Sequence, residues 1–453
     1  MAHPSTRDMT QGSPTKLIFA FFLPLLLGLV FQQLYNMVDT MIVGRFLGVD
    51  ALAGVGSTGS LAFLVLGLCT GTCTGFSIPV AQKFGEGDYR GLKKVVANAF
   101  MVCVLMAAVV TTVVCLLCRT MLGWMHTPDD IMGYAFSYLI VVFLGIPVVF
   151  AYNVLFAVVR SMGDSKTPVK CMVIASITNV VLDLAFILVF HMGVAGAALA
   201  TVISQILSAL LCIRHIVKTQ LIIFDREDWK PDWNCARMLL GMGLPTGLQY
   251  SITAIGSIIM QSSVNTLGSV YVASVAAGSK LSMLLNSPYD AMGSTMATYG
   301  GQNVGAGKLD RIGRGLRSCS AIGVSYSLMI MLLMLLFRRP LLTLFVDPGE
   351  TEVLANASRY VMTNVLFYVP LAFVNIVRFL IQGLGFTKHA VIAGVFEMFA
   401  RALVGMVVVP AFGFAGACFG HPAAWIAADL FLFPTYFWAM RKLRREQAAR
   451  LAA

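Results

Sequence analysis

Charge is what this sequence has least of. Of its 453 residues only 12% are Asp, Glu, Lys or Arg, while 58% are hydrophobic and the mean hydropathy is +0.82. Soluble domains carry roughly twice that share of charge, so the chain is a membrane protein. It lacks the Gly-x-x-x-x-Gly-Lys-[Ser/Thr] loop and any segment long enough to hold a nucleotide-binding domain, which excludes ATP hydrolysis by this chain. No basic segment is interleaved with stacking aromatics, so the net charge of +11 does not mark a nucleic-acid surface. No Ser/His/Asp constellation, His-Glu-x-x-His or paired catalytic aspartates argue for an enzyme, and no re-entrant filter sequence argues for a passive channel. The 10 cysteines are scattered through apolar stretches, Cys115 and Cys118 included, and imply neither a disulfide framework nor a metal site. Gly54-x-Gly56-x-x-Gly59 matches a dinucleotide fingerprint by letters only, because it follows no strand. No cofactor is expected.

Long apolar runs are abundant. They recur near 17–43, 52–80, 95–118, 131–157, 171–190, 194–213, 238–266, 271–298, 318–337, 353–379, 390–410 and 413–440. Each can cross roughly 30 Å of hydrocarbon as a helix, and only helices or closed barrels satisfy the backbone in lipid. The expected fold is all-α, with 12 transmembrane helices. The N-terminal tail, the loops near 81–94, 158–170, 214–237, 299–317 and 380–389, and the C-terminal tail hold 24 of the 32 basic residues. By the positive-inside rule both termini are cytoplasmic, and membrane lipids are the constant partners.

The chain also repeats itself. Gln82-x-x-Gly85-x-Gly87 returns as Gln302-x-x-Gly305-x-Gly307, an offset of 220. Gly48, Gly193 and Gly196 pair with Gly268, Gly413 and Gly416 at the same offset, and Asn153, Gly163 and Lys166 pair with Asn375, Gly385 and Lys388 at 222. Six spans per half place both halves in one orientation, as two six-helix bundles related by a pseudo-twofold axis along the membrane normal. The expected organisation is a tail at 1–16, an N-terminal lobe at 17–213, a hinge linker at 214–237, a C-terminal lobe at 238–440 and a basic tail at 441–453. Gly67, Gly71 and Gly75 form a small-residue face suited to close helix packing. Pro147 and Pro370 are among the prolines expected to bend their spans.

An ionised carboxylate at the bilayer centre costs roughly 2.5–3.5 kcal/mol, so the acids within spans need a reason: Asp39, Asp183, Asp290, Glu397 and Asp429. Counted from the outer helix ends, Asp39 lies roughly 7 Å deep and Asp183 and Thr201 roughly 10 Å deep. Asn179 is one turn from Asp183 on the same face. These four form a candidate cation pocket. Two carboxylates close together in low dielectric do not both stay ionised at low cost, so one would hold a proton near neutral pH. Alternatively a hard cation such as Na⁺ takes the four residues' oxygens. The plainer alternative is that each acid only staples helices through buried hydrogen bonds. In the second half the same offsets set Glu397 opposite Asn179, Arg401 opposite Asp183 and His421 opposite Thr201. A buried Glu397–Arg401 ion pair is the plain expectation there, with His421 a proton partner. Lys280 and Asp290 are less decisive, as a snorkelling lysine and a cleft-facing acid. Gln32, Tyr35 and Asn153 supply polar surface to a cavity that 25 methionines could make adaptable.

Together, the doubled Gln-x-x-Gly-x-Gly loops, Val38-Asp39-Thr40 followed by Gly44-x-x-x-Gly48, and Arg160-x-x-Gly163-Asp164 resemble the multidrug and toxic compound extrusion (MATE) family over residues 15–440. The resemblance implies that Asp39, Asn179, Asp183 and Thr201 are the N-lobe cation or proton site of its DinF-like branch. It also implies that Gln32, Tyr35 and Asn153 line that lobe's substrate cavity. The implied activity is secondary antiport, exporting cationic amphipathic drugs against inward H⁺ or Na⁺, by a monomer in a bacterial plasma membrane. Acids on the seventh and tenth spans, typical of the NorM-like branch, are absent. A lipid-linked-sugar flippase of the same superfamily is the alternative, kept open by Lys280, Arg378 and Arg401.

Overall fold

The structure is a computed structural model and describes residues 6–125, 127–220 and 222–452. Residues 1–5 of the expected tail, 221 of the expected linker and 453 lie outside the described residues. The described chain is helical: α1 (Pro14–Leu47), α2 (Val49–Ser57), α3 (Gly59–Glu86), α4 (Tyr89–Trp124), α5 (Asp129–Leu144), α6 (Ile146–Ser161), α7 (Lys166–Leu184) and α8 (Gly193–Lys218) come from the first half. The second half supplies α9 (Trp233–Asn265), α10 (Ser269–Gly305), α11 (Leu309–Leu342), α12 (Thr351–Leu366), α13 (Tyr368–Gly383), α14 (Thr387–Leu403), α15 (Val409–Phe412), α16 (Phe414–Ala417) and α17 (Gly420–Ala452). Among the described residues eight helices are long and apolar enough to cross a membrane, and two bent pairs bring the number to 10. The remaining two of the twelve spans are α9 and α10, 33 and 37 residues long but richer in polar residues. Apolar side chains such as Leu105, Leu116, Leu336 and Leu430 are exposed because they face lipid.

The internal repeat is written into the backbone. Gly48 and Gly268, Gly87 and Gly307, Gly163 and Gly385, and Gly193 and Gly413 all adopt positive φ, a conformation that a Cβ disfavours, so these paired positions require glycine. Wide π turns interrupt both halves at Ala185–Val189 and Val404–Val408. The α5–α6 pair bends by 49° and the α12–α13 pair by 52°. Pro147 and Pro370 stand in the first turns after these bends, where a missing N–H costs nothing.

The chain forms two compact units, one holding Leu23–Ser251 with the described part of Met1–Asp8, the other Met9–Phe22 with Ile252–Ala453. The first unit therefore extends past the 214–237 linker into α9. Its reason is a seam of glycines: a Cβ at Gly71 would stand 2.8 Å from the Gly247 Cα, and one at Gly75 only 2.5 Å from the Gly243 Cα. The expected small-residue face on α3 thus meets a matching face on α9. Gly75→Ala is expected to destabilise the purified protein by roughly 1–3 kcal/mol through overpacking. Thermal unfolding in detergent should show this against Gly56→Ala, whose Cβ would meet nothing within 4 Å.

The linker is tied down rather than loose. Lys93 pairs with Asp225 at 3.2 Å and Lys94 with Asp232 at 2.5 Å, and the Asp232 backbone N–H donates to Asn98 at 3.0 Å. The Lys94 ammonium, followed by the Cys235 backbone N–H, holds the Asp232 carboxyl below the usual carboxylate range. In the second unit the repeated loop grips the start of the chain. Gln302 accepts from the Met9 N–H at 2.9 Å, Asn303 donates to the Met9 carbonyl at 3.2 Å and Lys308 to the Thr10 carbonyl at 3.0 Å. Met9 is buried by these contacts.

Candidate functional site

Three helices of the first unit converge on the acids. Gln32, Tyr35 and Asp39 share one face of α1 at i, i+3, i+7 spacing, while Asn179 and Asp183 lie one turn apart on α7 and Thr201 on α8. The π turn begins two residues after Asp183, and such bulges recur at functional sites because they re-aim the preceding turn. Asp183 is 0% exposed and Asn179 2%. The Asp39 and Asp183 carboxylates lie within hydrogen-bonding reach of each other, yet Asp39 Oδ1 and both Asp183 oxygens are buried without a donor. The Asn179 amide donates to Thr201 Oγ1 at 3.4 Å, and that hydroxyl donates to the Ala197 carbonyl at 3.2 Å. Asn179 Oδ1 remains without a donor as well.

An apolar cluster of Ile42, Val43, Ile187 and Ala197 sits one turn beyond these groups, towards the helix ends at Leu47, Val189 and Gly193. On the opposite side opens a cavity of about 40 Å³, lined by Gln32, Tyr35, Tyr152, Asn179, Thr201 and the α8 residues Ser204, Gln205 and Ser208. One side is thus sealed by hydrocarbon and the other is polar. Buried acceptors outnumber donors, so the group fits a proton shared between two carboxylates or a monovalent cation. For Na⁺ the two carboxylates would be joined by the Asn179 amide and Thr201 hydroxyl oxygens.

The second unit is built differently. Glu397 on α14 is 2% exposed and accepts from Arg378 on α13, and from Arg401 at 3.4 Å. Asp429 on α17 stands near Arg378. His421 lies parallel to Trp425 at 5.9 Å and edge-on to Tyr360 at 6.4 Å. These aromatics belong to a cavity of about 310 Å³.

The comparisons with known proteins agree with this architecture. The MatE family model matches residues 24–185 and 245–407, one stretch in each half. The chain belongs to the MatE family. It is 30% identical to the probable multidrug resistance protein YpnP of Bacillus subtilis, over 82% of both chains. It is 26% identical to the probable multidrug resistance protein YoeA of the same organism, over 96% of both. Among solved structures, a crystal structure of MATE in complex with MaL6 superposes with a TM-score of 0.89 at 21% identity, covering 97% of this chain and 99% of that one. A MatE protein is a transporter, which accords with the multi-pass fold and not with an enzyme.

Within this MatE chain the structure brings Asp39, Asp183, Asn179 and Thr201 to one place, with Gln32 and Tyr35 on the adjoining cavity wall. Asn153 does not join that wall; its amide donates to the Val149 carbonyl at 2.8 Å. Lys280 and Asp290 are exposed on α10. Tyr138 on α5 lies within electrostatic reach of Asp39 and Asp183 and was not legible in the sequence, because nothing in an apolar span marks one tyrosine among several. Ser204, Gln205 and Ser208 carried a usable signal: they follow Thr201 at i+3, i+4 and i+7, on one face of α8.

Proposed function

We propose that this MatE transporter exports cationic, amphipathic compounds from the cell in exchange for inward H⁺ or Na⁺ bound at Asp39 and Asp183. It works by alternating access as a monomer in a bacterial plasma membrane, with both termini in the cytoplasm. The observation that carries this reading is the pair of neighbouring carboxylates whose buried oxygens have no donor. Such a pair is costly to keep in a protein unless a proton or cation visits it. Binding and release of one charge lets the membrane drive the cycle, since 100 mV supplies roughly 2.3 kcal/mol per elementary charge. The relatives named as multidrug resistance proteins support drug-like cations as the cargo.

The test is ethidium efflux from cells expressing the chain, with the proton and sodium gradients collapsed separately. Efflux is expected to stop when one gradient is removed, which identifies the ion, and to stop in Asp39→Asn under both. Efflux that survives both treatments would sink the antiport reading. Absence of efflux in the unmutated protein for several dyes would move the function to lipid flipping.

A further inference from the structure

The cavity of the second unit is much larger than that of the first, about 310 Å³ against about 40 Å³. None of the residues lining its roughly 310 Å³ is acidic. Its walls are aromatic, with Tyr360, Tyr368 and Trp425, and hydroxyl-bearing, with Ser257, Ser279 and Ser282. Arg401 is not itself a lining residue; its charge acts on two wall residues, Tyr360 and His421, and its Nη1 lies against Gly256, next to the wall's Ser257. Arg401 is 4% exposed, and its Nε and Nη1 have no hydrogen-bond partner. Its single contact to Glu397 runs through Nη2 at 3.4 Å, while Arg378 also occupies Glu397. The guanidinium is therefore incompletely compensated. Two wall acceptors, Asn286 Oδ1 and Asn364 Oδ1, are likewise buried without donors.

A ligand answering all of these groups is planar and aromatic, carries a negative charge for the field of Arg401, and offers a hydroxyl or N–H to the asparagine oxygens. We propose that this cavity is a binding site for hydroxylated aromatic carboxylates, separate from the cation site at Asp39 and Asp183. Aromatic walls supply stacking area, and a buried, weakly compensated guanidinium favours a carboxylate more strongly than a surface one does. The site stands independently of the antiport reading, because no residue is shared between the two cavities.

The test uses the purified full-length protein in nanodiscs and three probes of one shape: 6-hydroxy-2-naphthoate, its neutral carboxamide, and the corresponding naphthylmethylammonium. Calorimetry is expected to show the carboxylate binding at least tenfold more tightly than the amide, and the ammonium most weakly. Arg401→Gln should erase the preference for carboxylate over amide, with Arg378 still available to Glu397. Asn286→Leu on the wall should weaken the carboxylate about tenfold, and Asp39→Asn should leave it unchanged. Should Arg401→Gln fail to fold, the probe ranking with Asn286→Leu and Asp39→Asn decides the matter. Equal binding of carboxylate and amide, preference for the ammonium, or loss of binding in Asp39→Asn alone would overturn the proposal.

Discussion

Asp183→Asn is expected to abolish gradient-driven efflux and, at the same time, to make the purified protein more stable. The side chain is 0% exposed, both of its oxygens lack donors, and the Asp39 carboxylate is its neighbour. Asparagine keeps the shape, removes one of two like charges and gives Asp39 an N–H to accept from. A hydrogen bond to a charged group contributes roughly 1.5–3 kcal/mol, so the folded state should gain. Transport should fall at least tenfold, to the level of cells without the protein, because the pair then no longer gains and loses a proton or cation during the cycle. Loss of function with gain of stability is the signature of a site kept strained for its activity. Thermal unfolding and dye efflux on the same variant check both signs. A variant that unfolds, or one that keeps gradient-dependent efflux, would return Asp183 to a structural role.

The fold was legible because its constraints are local. Apolar runs mark spans through desolvation of the backbone alone, and glycines repeated at one offset mark turns whose φ no other residue adopts easily; Gly193 and Gly413, at +61° and +58°, are an instance. The group around Asp39 could be assembled from depth, since a rise of about 1.5 Å per residue converts sequence position into height within the bilayer. Partners lying across helices were not legible. Spacing along α14 pointed to Arg401 for Glu397, but Arg378 from α13 shares that carboxylate, and no periodicity connects residues 378 and 397. The linker's anchoring on Lys93, Lys94 and Asn98 was hidden for the same reason. The break between units inside α9 follows from glycines facing one another across α3 and α9, a pairing visible only when both helices are placed.

Glu397→Gln is expected to have the opposite effect from Asp183→Asn, although both remove one buried negative charge. Glu397 is 2% exposed and serves two guanidiniums, Arg378 and Arg401, which are themselves 6% and 4% exposed. Its loss takes from both buried cations the carboxylate they share. Breaking a buried ion pair by removing one partner costs roughly 3–5 kcal/mol, a large share of the roughly 5–15 kcal/mol that holds a typical protein folded. The variant should fail to accumulate, or should melt far below the unmutated protein. Replacing the Glu397–Arg401 pair together, as Glu397→Leu with Arg401→Met, should recover part of that loss, because apolar side chains of similar volume substitute for a buried ion pair at little cost, while Arg378 loses its Glu397 contact in both variants. Thermal unfolding of the single and double variants measures the difference. A single variant as stable as the unmutated protein would mean that Glu397 does not hold these arginines, and that the second unit keeps its charges in water rather than in its core.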